Sequence, residues 1–336
     1  MERRRRLIVL WVTGTCQLSC KYCYATHRSS EKMEESVAFA ALQLFEKEPL
    51  TVQFAGGEPL LNWELIEAVT EYVEKQRPGT RLQLQTNGIS MDRQKADYIR
   101  EHKIATGVSL DGIPEVNERL RGRTAEAVAG IRTLGEAGVY VNLNAVVTSV
   151  NVQKLPQLVD FAWYLESVAG IGLDLLRAAG RGEEAFAQLR ADEAELVQAL
   201  WKMEERSRML ERLSGRKIVL REIDEAARRK RVGKRLPYCF ASCGNAVAVL
   251  PNGDCYPCGS LAGRAEYYMG NVMDQVRCFL RLEPDGAFAD PEKCATCPGR
   301  LVCPGACPSR RILNGETEED CAMRRTAFQI VEQNDV

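Results

Sequence analysis

From residue 7 to residue 176 the chain alternates between two periodicities, and that alternation restricts its fold more than any other feature. Short apolar, β-branched runs read as buried strands: LIVLWV (7–12), TVQFA (51–55), RLQLQT (81–86), IATGVSL (104–110), VYVNLNAVV (139–147) and IGLDLL (171–176). Helical patterns separate them. SVAFAALQLF (36–45) is a run of good helix formers. NWELIEAVTEYVEK (62–75) repeats apolar residues at 65, 66, 69 and 73, one helical face, with Asn62 as candidate N-cap. Further helices are expected near 92–102, 124–137 and 154–166. Successive strand–helix units mean parallel strands joined by right-handed crossovers. Six units are too few for a closed eight-stranded barrel. Periodicity therefore leaves a doubly wound sheet and an open six-stranded barrel both standing.

Residues 183–232 are rich in Glu, Arg, Ala and Leu and read as one or two long helices, a bridge. From about 236 the texture changes to short strands, turns and cysteines. AVAVLPNGDCYPC (246–258) reads as a hairpin about Asn252-Gly253. Residues 291–321 hold four prolines and five cysteines with little periodicity, a segment expected to need metal for its order. The expected division is 1–180, 181–235 and 236–336.

Lys+Arg number 45 and Asp+Glu 46, so the chain lacks the basic surface that general nucleic-acid affinity needs. The RRRR run at 3–6 is expected to be a solvated arm. No window approaches the roughly 18–20 apolar residues of a membrane span, and LIVLWV has no signal-peptide cleavage site after it. A cytoplasmic location is expected. Thirteen cysteines are then a surplus that disulfides do not explain, and metal ligation or redox chemistry becomes the default reading. With His27 and His102 as the only histidines, a zinc hydrolase is not expected.

The cysteines fall in two groups. Cys16, Cys20 and Cys23 stand in CQLSCKYCY, just after the first strand, where parallel α/β sheets hold their active sites. Three thiolates leave a tetrahedral zinc site one ligand short. They suit three irons of a [4Fe–4S] cube whose fourth iron stays open to a substrate. Incidental buried thiols are the bland alternative, and free cysteines seldom cluster this way.

CxxxCxxC with an aromatic, Tyr22, before the last cysteine resembles the cluster loop of the radical S-adenosylmethionine (SAM) superfamily. The resemblance implies a partial (β/α)6 TIM-like barrel followed by a small cysteine-rich α+β domain. It also implies that the open iron chelates SAM, and that one electron from the cluster gives a 5′-deoxyadenosyl radical. AGGEP (55–59) resembles the family's GGEP motif, in which Gly56, Gly57, Glu58 and Pro59 would hold the SAM amino group. Two glycines also let a backbone approach a ligand closely, and Glu58 can accept from an ammonium. TNG (86–88) and SLDG (109–112) end the third and fourth strands, so Asn87 and Ser109 are candidates for the SAM ribose or carboxylate, as is Asn144 on the fifth. All three positions are equally compatible with turn chemistry or a satisfied polar residue.

The second group begins after 215 residues without a cysteine. Cys243-x9-Gly253-x4-Cys258, then Cys294-x2-Cys297-x5-Cys303-x3-Cys307, then Cys321, resembles the SPASM extension of radical SAM enzymes. Carried over, that pattern implies two auxiliary [4Fe–4S] clusters, one on Cys239, Cys243, Cys258 and Cys307, the other on Cys294, Cys297, Cys303 and Cys321. Cys255 and Cys278 are left over. Cys255 is close enough in sequence to compete as a ligand, while Cys278 reads as a packed thiol.

By this resemblance the chain is a maturase acting on a ribosomally made peptide or protein, forming a thioether, a carbon crosslink or another oxidative modification. Flavodoxin or ferredoxin would supply the electron. Only 15 residues precede Cys16, so a separate recognition protein, or direct binding in the barrel, is expected. Sulfatase-type formylglycine formation is a rival. Its enzymes carry an Asp base just after the cysteine matching Cys258, where Gly259 stands here; Asp254 and Asp111 are other possible bases. A non-catalytic iron–sulfur scaffold or electron carrier is the third reading, and neither would need a three-ligand loop or Glu58. No nucleic-acid or membrane partner is expected.

Overall fold

The computed structural model describes residues 5–25, 30–282, 291–315 and 318–334. Arg3, Arg4 and His27 lie outside the described residues. The barrel half runs β1 (Arg6–Thr13), α1 (Glu35–Gln43), β2 (Leu50–Gly56), α2 (Trp63–Gln76), β3 (Arg81–Thr86), α3 (Arg93–Glu101), β4 (Ala105–Ser109), α4 (Pro114–Leu120), α5 (Thr124–Glu136), β5 (Val141–Val147), α6 (Leu155–Tyr164) and β6 (Val168–Leu175). The six strands are parallel and lie side by side in chain order. A doubly wound sheet reverses its strand order at a switch point. This order never reverses, so every right-handed crossover carries its helix to the same face. That decides for the open barrel.

The strands show why the two faces differ. In β3, Leu82, Leu84 and Thr86 are buried while Gln83 and Gln85 are only half-buried. In β5, Val141, Leu143, Ala145 and Val147 are buried and alternate with Asn142 and Asn144. Alternate side chains point to opposite faces. The apolar set joins Ile66, Val69, Ile99 and Ile131 of the helices in one core, each large side chain contributing about 1.5–3 kcal/mol on full burial. The amide set faces inward, where Gln53, Gln83, Gln85, Asn142 and Asn144 line a cavity of about 360 Å³. A closed barrel fills that space with branched apolar layers; this one is polar and open.

Two expectations are corrected here. Asn62 stands at the N-cap position of α2 but makes no capping hydrogen bond. Its Nδ2 donates instead to the carbonyls of Val12 (2.8 Å) and Met33 (3.1 Å), tying β1 to the approach of α1. The basic run is not a free arm at its described end. Arg5 donates to the Leu50 carbonyl (2.6 Å), and Arg6 opens β1 and donates to Asn245 Oδ1 (2.7 Å).

The remaining elements close around the barrel. α7 (Arg181–Leu189), α8 (Glu193–Ser214), β7 (Val219–Leu220) and α9 (Arg221–Val232) follow β6, and β7 adds to its edge. The bridge thus holds three helices. β8 (Ala246–Val249) and β9 (Cys255–Tyr256) form the expected antiparallel hairpin, with Gly253 in its turn at φ +90°. Yet β8 also pairs parallel with β1, Leu7 opposite Ala246 and Leu10 opposite Val249, so the sheet reaches nine strands. α10 (Pro291–Ala295), α11 (Pro308–Asn314) and α12 (Glu318–Asn334) end the chain, and α12 packs against α8 and α9. No helix among the described residues is long and apolar enough to cross a membrane.

Candidate active site

The loops at the C-terminal ends of the barrel strands enclose a cavity of about 740 Å³. Cys16, Cys20, Tyr22, Cys23, Gly56, Gly57, Glu58, Asn87, Ser109 and Asn144 all border it, so residues far apart in sequence meet at one cavity. Pro59 sits just behind, buried, opening the single helical turn 59–62 that leads into α2.

The loop that follows β1 is held by the loop that follows β2. Gly57 donates to the Thr13 carbonyl and Glu58 to the Thr15 carbonyl, each at 2.8 Å. A Cβ on Gly57 would lie 2.2 Å from the Thr15 oxygen, and one on Gly56 2.4 Å from that of Thr13. No side chain fits between backbones this close. The glycines therefore serve first to seat the cysteine loop, a role beyond the close approach to a ligand.

Cys20 is buried, and Cys16 and Cys23 are half-buried. Cys16 Sγ receives the Leu18 amide at 3.4 Å and Asn87 Nδ2 at 3.8 Å. Burial pushes the Cys20 thiol up; Arg121 opposes this, while Cys23, Asp111 and Cys16 add to it. Metal coordination would remove that proton.

Tyr22, 6 % exposed, packs under this loop. Its hydroxyl donates to Asp111 Oδ2. Arg121 grips the same carboxylate from the other side, Nε to Oδ2 at 2.9 Å and Nη2 to Oδ1 at 3.1 Å, with its guanidinium 5.4 Å from the Tyr22 ring centre. Asp111 also accepts from the Val146 amide (2.9 Å) and is wholly buried. It is an anchor for the cysteine loop, which leaves it poorly placed as a base. Asp254, the other candidate base, hydrogen-bonds Asn271 and Asn252 at the β8–β9 turn and does not border the cavity.

Glu58 is 1 % exposed. It accepts from Thr86 Oγ1 (2.5 Å), the Asn87 amide (2.7 Å) and the Leu60 amide (3.1 Å). Burial pushes its carboxyl up to about 7, with those three donors opposing. Asn87 Oδ1 caps the Ile89 amide (2.9 Å), and its Nδ2 reaches Gln17 Oε1 (3.2 Å). Along the inner wall Gln85 Nε2 donates to Ser109 Oγ (3.1 Å), Asn144 Nδ2 to Gln85 Oε1 (2.6 Å) and Arg221 Nη1 to Asn144 Oδ1 (3.3 Å). Ser109 and Asn144 are thus two ends of one relay.

Several thiols of the second group lie near one another. Burial pushes the Cys239 thiol up to about 12, and Cys307 and Cys258 are near enough to add to this. Cys239 and Cys307 border the large cavity. Cys243 is held by Asn245, whose Nδ2 donates to its Sγ at 3.2 Å. Burial raises Cys303, with Cys297 and Cys294 adding, and raises Cys321, with Cys294, Cys297 and Cys303 adding. Cys255 is wholly buried in the main core, while Cys278 is exposed, contrary to its reading as a packed thiol. Among the described residues no three His, Cys, Asp or Glu side chains are spaced to share one metal ion. An all-sulfur donor set without histidine suits a polynuclear cluster, each thiolate on its own iron.

The motifs do not reveal Gln85 or five arginines that border the cavity: Arg121, Arg177, Arg221, Arg310 and Arg324. The alternation of RLQLQT signals Gln85, since positions 83 and 85 share a face. Nothing local marks the arginines, which converge from the end of α4 to α12.

Residues 12–162 match the family model of the Radical SAM superfamily. An uncharacterised protein of Methanocaldococcus jannaschii is 29 % identical over 295 residues, 84 % of this chain and 94 % of that protein. AdoMet-dependent heme synthase of Methanosarcina barkeri is 25 % identical over 330 residues, 91 % and 92 % of the two chains. PqqA peptide cyclase of Gluconobacter oxydans is 30 % identical over 160 residues, 45 % and 44 %; several curated relatives are likewise matched over about half their length. Among solved structures, native anSMEcpe with bound AdoMet and Kp18Cys peptide aligns over 99 % of both chains at 19 % identity, with a TM-score of 0.80. Residues 12–162 are therefore a Radical SAM domain, and the chain is an enzyme built on it.

Proposed function

We propose that Cys16, Cys20 and Cys23 carry the domain's [4Fe–4S] cluster, that SAM lies between them and Glu58, and that the substrate is a peptide or protein. The observation that carries this reading is the meeting of those thiols with Glu58, Asn87 and Ser109 at one cavity. When bound, the cluster supplies the electron that cleaves SAM to a 5′-deoxyadenosyl radical, which takes a hydrogen atom from substrate. Glu58 receives the SAM ammonium, and Asn87 and the Ser109–Gln85–Asn144 relay orient its ribose and carboxylate. Cys239, Cys258 and Cys307, with Cys243 nearby in sequence, hold one auxiliary cluster; Cys294, Cys297, Cys303 and Cys321 hold another. A flavodoxin or ferredoxin donates the electron, in the cytoplasm, and a separate recognition protein or the barrel itself selects the peptide. The products follow the maturase pattern: a thioether, a carbon crosslink or a related oxidation.

Formylglycine formation is less well supported. A Cβ on Gly259 would lie 3.1 Å from Trp11 Nε1, so the position after Cys258 has little space for a base. A tetrapyrrole is the second reading for substrate, favoured by the heme synthase aligned along nearly its whole length.

The test is anaerobic. Reconstituted protein, reduced and given SAM, is expected to release 5′-deoxyadenosine, and with a deuterated substrate the label moves into it. Full iron loading with no deoxyadenosine under any reductant would remove the proposal.

Glu58 gives a second expected result. Its carboxyl is neutral below about 7 and ionised above. An ammonium prefers the ionised form, so SAM affinity should rise as pH passes upward through that value. Glu58→Gln should bind SAM weakly and without that dependence. An unchanged pH profile in the variant, measured by equilibrium dialysis, would reassign the ammonium site.

A further inference from the structure

Arginines border the same cavity as Glu58. Arg177 follows β6, Arg310 lies on α11 and Arg324 on α12. Arg177 and Arg310 share one carboxylate, Asp174. Arg310 also pairs with Asp320, Nε to Oδ2 at 2.9 Å, and donates to the Tyr238 hydroxyl at 3.0 Å. Arg324 stacks over the Tyr238 ring, 4.7 Å from its centre, and donates to Glu225 at 2.9 Å. Glu225 is already held by Arg229 at 2.8 Å. Arg177, Asp174, Arg310, Tyr238, Arg324 and Glu225 thus form one connected row.

The charges in that row do not balance. Arg177, Arg310, Arg324 and Arg229 make four cations against Asp174, Asp320 and Glu225, three anions. Nor are the donors used up: Nε of Arg177 and Nε of Arg324 are buried with no hydrogen-bond partner. Arg310 is 2 % exposed and Arg324 7 %. A buried cation without its counter-ion is costly, and an unpaired buried donor adds to the cost. Leu173, Leu175 and Met323 of the same cavity supply apolar surface beside the row. Such a wall fits a ligand with an apolar body and an anionic edge, and guanidinium forks match planar carboxylates.

We infer that the Arg177–Arg310–Arg324 row is a carboxylate-binding site for substrate, with the guanidinium groups of Arg177 and Arg324 bordering the cavity. This deepens the substrate side of the proposed function and rests on this cavity being the reaction site. The carboxylate has two possible sources, a propionate of a tetrapyrrole or an acidic residue of a peptide. Cys307 lies close to Arg177 and Arg310. Compensation of an auxiliary cluster's charge is therefore the competing explanation, and iron content separates the two.

The experiment titrates the reconstituted full-length protein anaerobically with two matched pairs. One pair is coproporphyrin III and its methyl ester. The other is an acetylated, amidated glutamate peptide and its glutamine counterpart. Wild type should bind at least one acid roughly 10-fold or more tightly than its neutral twin. Arg177→Gln and Arg324→Gln should close that gap, with Arg324→Lys restoring part of it, while iron content holds. A gap for the porphyrin pair alone assigns propionates, and for the peptide pair alone an acidic residue. Equal binding of acid and neutral twin by wild type overturns the inference without any variant. So do Gln variants that lose iron but keep the gap. Deoxyadenosine is measured on the same samples: its absence beside an intact gap would sink the SAM reading and leave the carboxylate site standing.

Discussion

Replacing Cys16, Cys20 and Cys23 together with alanine is expected to end 5′-deoxyadenosine formation, while the iron proposed for Cys294, Cys297, Cys303 and Cys321 is kept. The reasoning is local. All three thiols border the same cavity as Glu58, and burial, mutual repulsion and Arg121 set the state of Cys20. Cys294, Cys297, Cys303 and Cys321 do not border that cavity, so their ligation should survive. Loss should be to background, because chemistry that depends on one electron source has no partial form without it. The loop itself should stay seated, since the amides of Gly57 and Glu58 bind the Thr13 and Thr15 carbonyls and not the thiols. Iron analysis and quantitation of deoxyadenosine on one preparation decide the matter. Deoxyadenosine from the triple variant would move the reducing centre to another set of cysteines.

The strand–helix alternation and the cysteine loop were legible because both are short-range signals. A strand shows in two-residue alternation and a cluster loop in eight consecutive residues. Open barrel and doubly wound sheet could not be told apart by periodicity, because they differ only in which strands become neighbours. β8 illustrates the same limit. Its four residues are legible as one arm of a hairpin, but their pairing with β1 is a contact across more than 200 positions. GGEP was legible as a motif, yet part of its physical reason was not. Only the distances from Gly56 and Gly57 to the Thr13 and Thr15 carbonyls show that these glycines hold the neighbouring loop. Asn62 was misread as a cap because Asn before a helix usually is one; carbonyls from β1 and residue 33 outbid the helix for its amide. The arginine row was invisible for a different reason. Charged side chains far apart in sequence carry no local sign of meeting, and Arg310 and Arg324 become buried only when α11 and α12 pack against β6 and α9.

Asp111→Ala should be among the most destabilising single substitutions at the site, and the cause lies in what it strands. Asp111 holds Arg121 by two hydrogen bonds, the Tyr22 hydroxyl by one and the Val146 amide by another. Burial opposes the Arg121 charge, and Asp111, Tyr22 and Cys20 beside it together more than offset that. Removing one member of such a pair leaves an uncompensated charge, at a cost of about 3–5 kcal/mol, which is an apparent Tm fall of roughly 4–7 °C. Tyr22 lies between Cys20 and Cys23, so a loosened hydroxyl should also speed iron loss from that loop. The double variant Asp111→Leu, Arg121→Met removes charge with its partner and should recover much of the stability, because the penalty comes from the unpaired ion and not from the missing bridge. If the double variant melts no higher than Asp111→Ala, the pair is not coupled, and the anchoring of the cysteine loop must come from the Tyr22 ring and the glycine contacts instead.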